Sequence, residues 1–171
     1  MLISENYRAL MERLHDTHQY GERGNKWADM VLGRVELHKP NTILDYGCGK
    51  GALKRTLAPL ITVEFREYDP AISEKNEMPE VADLVICTDV LEHIEPNCIE
   101  AVVDHLKKLA RRVLFVVVST RPAVKFLEDG RNAHLIVQSM ESWHPLLVRG
   151  MHVLDQQEMN DEFTLTMAPI G

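Results

Sequence analysis

The segment Thr42-Ile43-Leu44-Asp45-Tyr46-Gly47-Cys48-Gly49-Lys50-Gly51 carries the strongest structural signal in the chain. Its first five residues, 42–46, predict a short strand that runs directly into a glycine-rich loop, and residues 50–60 predict a helix. Glycines at such a turn let a ligand approach the backbone, and the N-terminus of a helix offers unpaired N–H groups. The segment therefore predicts a strand–loop–helix unit with a ligand site at the loop.

Strands and helices alternate in the rest of the pattern. A helix at 97–109 separates two nearly continuous apolar runs, which are typical of strands covered on both faces. Such alternation favours right-handed crossovers and a parallel sheet, whereas the last two strands are joined by a short polar loop and are expected to be antiparallel. Besides 42–46, the predicted strands are 62–68, 82–87, 113–119, 151–154 and 163–167.

The stretch from Asp69 to Asp83 is too short for a regular alternation. The two residues are 14 positions apart, and a single crossover needs about a dozen residues. We therefore predict a Rossmann-like α/β fold with helices on both faces, an antiparallel C-terminal strand pair, and a missing or vestigial third strand. We expect one domain, 1–171, made of an N-terminal helical cap at 1–40, with Ser4 as the N-cap of its first helix, and a core at 41–171.

Composition narrows the function classes. The 171 residues include 19 Lys and Arg against 26 Asp and Glu, a net charge of −7, which argues against an extended nucleic-acid interface. The longest apolar run, 113–118, is too short to cross a membrane, and no signal peptide is apparent. Three cysteines without a CxxC pair argue against a disulfide framework or a zinc ribbon. We expect a cytoplasmic protein.

Charge discriminates between the possible ligands of the glycine loop. No Gly-Lys-Ser/Thr ending occurs, so a Walker loop is excluded, but 47–52 also satisfies the dinucleotide pattern. Asp45 would repel a pyrophosphate, whereas it would attract the ammonium and sulfonium of S-adenosylmethionine. Asp69 follows Gly47 by 22 positions, at the end of the second strand, where an acid binds ribose hydroxyls in either cofactor class. Alternatively, Asp69-Pro70 only turns the chain.

The chain resembles the class I S-adenosylmethionine-dependent methyltransferases in three ordered segments, 44–51, 68–70 and 82–94. The resemblance implies that the loop backbone holds the methionine part of the cofactor and that Asp69 holds the ribose. It also implies that the N-terminal helices cover the cofactor, with Tyr20 near the methionine end, and that Glu77 and Met78 are adenine contacts. The cofactor-binding residues so expected are Tyr20, Asp45, Gly47, Cys48, Gly49, Gly51, Asp69, Pro70, Met78 and Asp89.

A second acidic cluster follows the strand at 82–87. Asp89, Glu92 and His93 have the i, i+3, i+4 spacing of one helix face, and a capping box or a hydrogen-bonded pocket wall would explain them structurally. The segment is also similar to methyltransferases that bind Mg²⁺ beside the cofactor, such as the small-RNA 2′-O-methyltransferases and ubiquinone-pathway O-methyltransferases, which usually carry Glu where Asp89 stands. By that similarity Asp89, Glu92, His93 and His134 would bind a divalent metal, and such ligands suit Mn²⁺, Fe²⁺ or Zn²⁺.

These patterns together indicate an S-adenosylmethionine-dependent methyltransferase acting on an oxygen or nitrogen of a small-molecule or nucleotide-like substrate. His93 or His134 would be the general base unless a metal lowers the pKa of the acceptor. Arg121 or Arg131 would clamp an anionic group, or would simply be solvated. Two alternatives stay open: a non-catalytic S-adenosylmethionine-binding regulatory or scaffold protein, and a nucleotide-dependent oxidoreductase, which Asp45 disfavours.

Overall fold

The computed structural model of the chain describes residues 1–16 and 21–171. Its helices are α1 (Glu5–Asp16), α2 (Ala28–His38), α3 (Ala52–Leu57), α4 (Ile99–Leu109) and α5 (Met140–Val148). Its strands are β1 (Thr42–Tyr46), β2 (Glu64–Tyr68), β3 (Ala82–Thr88), β4 (Ala110–Ser119), β5 (Met151–Glu158) and β6 (Glu162–Pro169). None of the helices in these two ranges is both long and apolar enough to span a membrane.

The strands of the described chain form one sheet in the order β2-β1-β3-β4-β6-β5. Strands β1 to β4 pair in parallel, β6 is antiparallel to β4, and β5 is antiparallel to β6. The carboxyl ends of the four parallel strands therefore lie at one edge, where ligands bind in open α/β sheets. The predicted Rossmann-like fold with its antiparallel C-terminal pair is confirmed.

The absent third strand is confirmed too. Between β2 and β3, a stretch that the structure describes throughout, the chain forms only the 3-10 turn Ser73–Lys75. Strand β2 is consequently an edge strand, because within the described chain no strand pairs with it on its outer side. Two of its exposed-face charges, Glu64 and Arg66, form an ion pair of 2.7 Å on this edge.

Helices cover both faces of the sheet. One apolar cluster joins α4 and α5 to the sheet, with Trp143 and Phe163 fully buried in it. The other joins α2 and α3 to the opposite face around Trp27 and Phe115. Burial on both faces explains the continuous apolar runs in β3 and β4.

Helix α1 lies over the carboxyl edge of the sheet. Ser4 caps it as predicted, since the Ser4 hydroxyl accepts from the Tyr7 N–H at 3.2 Å. The same Ser4 donates to Glu95, at 2.9 Å from its N–H and 2.8 Å from its hydroxyl. Tyr7 and Met11 pack in a small third apolar cluster with Ala71, Leu127 and Ala133. Helix α1 is thus tied to the loops that follow β2, β3 and β4.

Helix α5 has no counterpart among the predicted elements. Pro145 lies inside it and removes a backbone donor, which weakens the local helix signal. The Ser139 side chain caps its start, and Trp143 and Leu147 are fully buried, so tertiary packing overrides the local pattern. Strand β5 is also longer than predicted, because pairing with β6 extends it through residues that are exposed.

The burial of Trp143 makes a stability prediction. We expect Trp143→Ala to lower the free energy of unfolding by about 3–5 kcal/mol, since it leaves a large cavity in a close-packed core. Trp143→Phe should cost less, because it keeps much of the ring and removes an indole N–H that has no partner in the described chain. Urea unfolding of both variants, with exposed Leu37→Ala as the control, checks this; equal losses for all three would contradict it.

Candidate functional site

A cavity of about 740 Å³ runs along the carboxyl ends of the parallel strands. Helix α1 and residues 21–26 form one wall, and the glycine loop, the turn after β2 and the segment 88–94 form another. Residues 119–125, 133–134 and Glu162 complete it on the side of β4 and β6. Its position at the carboxyl edge is the one expected for a ligand site in this fold.

Most of the predicted cofactor residues line this cavity. Those that do are Asp45, Gly47, Cys48, Gly49, Asp69, Pro70 and Asp89. Gly51 and Met78, although described, are not among its lining residues: Gly51 adjoins Glu67 and Lys75, and Met78 is 64% exposed beyond the shortened turn. Tyr20 lies outside the described residues.

The glycine loop packs closely between Gly21 on one side and Val90 on the other. Gly47 and Gly49 have positive φ values of 76° and 53°, a region that favours glycine. A Cβ at Gly49 would come within 2.7 Å of the Gly21 carbonyl oxygen, and one at Gly47 would collide with the Val90 side chain. Both glycines are therefore required by close approach as well as by backbone conformation.

The backbone N–H groups of this loop are already engaged. Those of Gly47 and Cys48 donate to the Tyr68 carbonyl at 2.7 and 3.1 Å, and that of Gly49 donates to the Asp69 carboxylate at 3.0 Å. The N–H groups of Lys50 and Gly51 donate to the carbonyls of Gly21 and Cys48. Within residues 47–51, all of which the structure describes, no N–H is left to bind a phosphate. The loop thus lacks the donors on which a pyrophosphate site relies.

Asp69 is held firmly at the end of β2. One carboxylate oxygen accepts from Gly49 N–H and the other from Ala71 N–H, each at 3.0 Å. The second bond makes Asp69 part of the turn, as the structural alternative predicted, yet the residue also lines the cavity. His15 of α1 is buried beside it, with Nε2 3.9 Å from Asp69 Oδ2. Nothing in the sequence pattern indicates this partner, because the contact joins segments far apart in the chain.

Asp45 is buried at the floor of the cavity and is 3% exposed. Burial raises its pKa to about 7, and the negative charge of Glu67, its neighbour across the β1–β2 pair, acts in the same direction. Lys75 opposes the shift and Asp69 adds to it. Near neutral pH the carboxyl group is therefore poised between its two protonation states, and a cation placed beside it would favour the ionised form.

The second acidic cluster has a different local structure from the helix that its spacing suggested. Asp89 has a φ of 55°, and only the 3-10 turn Leu91–His93 follows it, with no side-chain cap. The Asp89 carboxylate accepts from the Trp27 indole N–H at 2.9 Å, and Glu92 accepts from the Ser119 N–H at 3.2 Å. The capping-box alternative is therefore wrong, because both carboxylates bond to distant elements.

Glu92, His93 and His134 nevertheless converge. Each offers a ligand atom, and these atoms lie within 4.8 Å of one another; Asp89 does not belong to this set. The two imidazole rings meet edge to face, with centroids 4.6 Å apart. His93 Nδ1 lies 2.7 Å from the Ala133 carbonyl and His134 Nδ1 lies 2.6 Å from the Arg121 carbonyl. A carbonyl only accepts, so Nδ1 carries the proton in each ring and the lone pair is on Nε2.

Burial sets the charge of this cluster. It raises the pKa of Glu92 to about 8, with Asp89 adding to the shift, and lowers the pKa of His93 to about 4, with His134 adding to it. The pKa of His134 is lowered as well, mainly by burial. Both rings are thus neutral at pH 7. Glu92 Oε2 is buried and has no hydrogen-bond partner among the residues described.

The two arginines considered as anion clamps occupy different positions. Arg121 lines the cavity and forms an exposed 3.4 Å ion pair with Asp161. Arg131 is not a lining residue in the described chain: it pairs with Asp129 at 2.6 Å, and its guanidinium lies 5.7 Å from the centre of the Tyr7 ring. Tyr7 in turn donates to the His93 carbonyl at 2.5 Å. Arg131 therefore helps to hold α1.

Comparisons with known proteins identify the family and the fold. A family model described as a methyltransferase domain matches residues 10–165. The crystal structure of 1,6-didemethyltoxoflavin-N1-methyltransferase from Burkholderia thailandensis, with 1,6-didemethyltoxoflavin and S-adenosylhomocysteine bound, superposes with a TM-score of 0.72 at 14% identity, over 100% of this chain and 92% of that chain. No curated protein sequence matches the chain.

Two further solved structures are similar in fold. The N-methyltransferase NodS from Bradyrhizobium japonicum WM9, in complex with S-adenosylhomocysteine, gives a TM-score of 0.63 at 16% identity, over 97% of this chain and 99% of that chain. Magnesium protoporphyrin IX methyltransferase from Synechocystis PCC 6803, also with S-adenosylhomocysteine bound, gives a TM-score of 0.62 at 16% identity, over 88% of this chain and 83% of that chain.

The raised pKa of Asp45 predicts a pH-dependent stability effect. The folded state holds this proton more tightly than the unfolded state, so the free energy of unfolding falls as pH rises from about 4 to about 7 and is level above that. The Asp45→Asn variant has no carboxyl group to titrate at this position, so its free energy of unfolding should not fall in this way between these pH values. We expect it to stabilise the ligand-free protein by roughly 1–4 kcal/mol at pH 8 and by much less at pH 4.

Urea unfolding at these two pH values measures the difference. Asp155→Asn, which alters an exposed carboxylate, is the control. An Asp45→Asn variant with the same stability change at both pH values would contradict the assignment of the shift to Asp45.

Proposed function

The chain belongs to the family of methyltransferase domains, and from this premise we propose that it transfers the methyl group of S-adenosylmethionine to an oxygen or nitrogen of a small-molecule or nucleotide-like acceptor. One observation carries the proposal: two buried carboxylates, Asp45 and Asp69, flank a glycine loop whose own N–H groups are engaged. Such a site offers anionic partners to a cationic ligand and little to a phosphate.

The proposed cofactor position follows from these charges. The ammonium group of the methionine part lies against Asp45, which ionises when a cation approaches. The ribose hydroxyls donate to the Asp69 carboxylate, whose orientation is fixed by Gly49 and Ala71. Pro70 and Met11 offer apolar surface nearby, where the adenine ring can pack. Helix α1 covers the cofactor and excludes water from it.

Methyl transfer requires little chemistry from the protein. The acceptor atom attacks the methyl carbon in line, the carbon–sulfur bond breaks with its electron pair going to sulfur, and S-adenosylhomocysteine remains. An acceptor hydroxyl must also lose its proton, and neutral His93 and His134 stand on the cavity wall to take it at Nε2. Their Nδ1–H groups are anchored on backbone carbonyls, which fixes both rings.

The cluster also fits a divalent cation. Glu92 has a buried oxygen without a described partner, and both imidazoles carry their lone pair on Nε2, with Nδ1 held by a carbonyl as in metal-binding histidines. One carboxylate and two imidazoles suit Mn²⁺, Fe²⁺ or Zn²⁺ better than Mg²⁺. The expected fourth ligand, Asp89, is bonded to Trp27. When bound, such an ion would lower the pKa of the acceptor hydroxyl, and the histidines would then be ligands and not bases.

Cofactor binding is the first test. Calorimetry should detect binding of S-adenosylmethionine and S-adenosylhomocysteine but not of NAD. Methyl incorporation from labelled S-adenosylmethionine into a panel of phenols, amines and nucleosides then tests catalysis. Binding of NAD in place of S-adenosylhomocysteine would overturn the proposal, and binding without transfer to any acceptor would favour the non-catalytic alternative.

Asp69 makes a specific binding prediction. We expect Asp69→Ala to weaken S-adenosylhomocysteine binding by about 1–3 kcal/mol, because hydrogen bonds to a charged group are lost. Asp155→Ala removes a carboxylate that pairs with Arg34 away from the cavity and is the matched control. Unchanged affinity in Asp69→Ala would remove the ribose assignment.

The histidine cluster makes a separate prediction. His93→Ala and His134→Ala should each abolish turnover while S-adenosylhomocysteine affinity stays within about twofold, since neither ring belongs to the proposed cofactor contacts. Exposed His152→Ala is the control. If both cavity variants remain active, the base and metal proposals fail together.

Metal binding is measured without turnover. Electron paramagnetic resonance of added Mn²⁺ should report a bound ion in the wild type, and Glu92→Gln and His134→Ala should both lose it. A wild type that leaves all added Mn²⁺ free in solution would exclude a manganese site at this cluster and leave the histidines as the proton acceptors.

A further inference from the structure

The turn that replaces the missing third strand carries a lysine that lies under the glycine loop. Lys75, the last residue of the 3-10 turn Ser73–Lys75, places Nζ 3.1 Å from the Gly49 carbonyl oxygen, to which it donates. The same Nζ lies 3.1 Å from Glu67 Oε1 on β2. Lys75 does not line the cavity in the described chain, so any effect it has on a ligand passes through its neighbours.

Lys75 also fixes the proposed ribose acid. Its backbone carbonyl accepts from the Asp69 N–H at 2.9 Å, while its own N–H donates to the Ile72 carbonyl. One residue thus bonds to the glycine loop through its side chain and to Asp69 through its backbone. These two elements would hold opposite ends of the methionine–ribose unit.

Lys75 has an electrostatic effect on the site as well as a packing role, because carboxylates surround it. Three carboxylates, Asp45, Glu67 and Asp69, surround the loop. Burial is the main cause of the raised pKa of Asp45; Glu67 and Asp69 raise it further, and Lys75 opposes them. Lys54 also pairs with Glu67, at 3.5 Å, but its side chain is 41% exposed. Lys75, whose side chain is 20% exposed, is the more buried of the two cations.

We propose that Lys75 is the positioning residue of the cofactor site: it ties the glycine loop to the edge strand and to Asp69, and it places one cation among the carboxylates that receive the cofactor's ammonium group. This inference rests on the proposed S-adenosylmethionine site. The third strand is missing, and the short turn that stands in its place supports the glycine loop through the Lys75 side chain.

The proposal has a pH signature that packing alone does not produce. Affinity for S-adenosylhomocysteine should rise with pH and level off once Asp45 is ionised, with a midpoint near its pKa of about 7. The titratable groups that face Asp45 are Glu67, Asp69 and Lys75, and the thiols of Cys48 and Cys87, whose pKa values are raised by burial. Removing the cation should move the midpoint up, and removing the Glu67 charge should move it down.

Calorimetric titration with S-adenosylhomocysteine between about pH 5 and 8.5 tests this in the full chain. We expect Lys75→Met to bind about tenfold more weakly at pH 7, with its midpoint shifted upward, because a charge-assisted hydrogen bond and a stabilising charge are lost. Glu67→Gln, the second variant, should shift the midpoint downward. Lys54→Met, which removes the outer cation, should leave the midpoint unchanged.

The outcomes separate this inference from the proposed function. A wild type that does not bind S-adenosylhomocysteine would overturn the proposed function itself. A wild type that binds, together with Lys75→Met showing the same midpoint, would overturn the role of Lys75 alone, whether or not the affinity falls. Midpoint shifts of opposite sign in Lys75→Met and Glu67→Gln would support it. If Lys75→Met does not fold, Lys75→Gln, which removes the charge but keeps a donor for the Gly49 carbonyl, replaces it, and an unchanged midpoint in that variant would likewise overturn the role of Lys75.

Discussion

The backbone N–H groups of the glycine loop all donate hydrogen bonds to acceptors within the protein itself. Gly47 and Cys48 donate to the end of β2, Gly49 to Asp69, and Lys50 to Gly21. A loop used in this way is rigid but offers a ligand no N–H from 47 to 51, within the described chain. Recognition at the loop must therefore come from side chains, and the two buried ones that flank it, Asp45 and Asp69, are carboxylates. The charge of the ligand, and not the glycine pattern, then distinguishes a methyl-donor site from a dinucleotide site.

Two further elements, the turn after β2 and helix α1, support the loop and cover the cavity. With the third strand missing, the turn after β2 supports the loop through Lys75, and α1 crosses the carboxyl edge and closes the cavity from above. Three independent contacts hold α1 there: Ser4 with Glu95, Tyr7 with the His93 carbonyl, and His15 beside Asp69. A short chain thus encloses its ligand site with a helix that precedes the sheet in sequence.

The sequence predicts what is local. The glycine loop, the alternation of strands and helices, the acid after β2 and the missing strand all follow from spacing within a few dozen residues, and the fold agrees with them. The partners of Asp89, Glu92 and His15 could not be predicted, because Trp27, Ser119 and Asp69 approach them only through tertiary packing. Helix α5 is not predicted either, because Pro145 weakens its local helix signal and the helix is stabilised by the burial of Trp143, a tertiary contact. The family resemblance predicts that Met78 contacts adenine, but the shortened turn leaves this side chain exposed.

The pairing of a buried carboxyl group with a cationic ligand can be measured by counting protons. Calorimetric titration of S-adenosylhomocysteine at pH 6.5, in two buffers with different ionisation enthalpies, gives the number of protons exchanged on binding. With a pKa of about 7, Asp45 is protonated roughly three quarters of the time at that pH in the free protein, so we expect a net release of roughly three quarters of a proton, and none in Asp45→Asn. Binding with no buffer dependence in the wild type, or with proton uptake, would contradict the account.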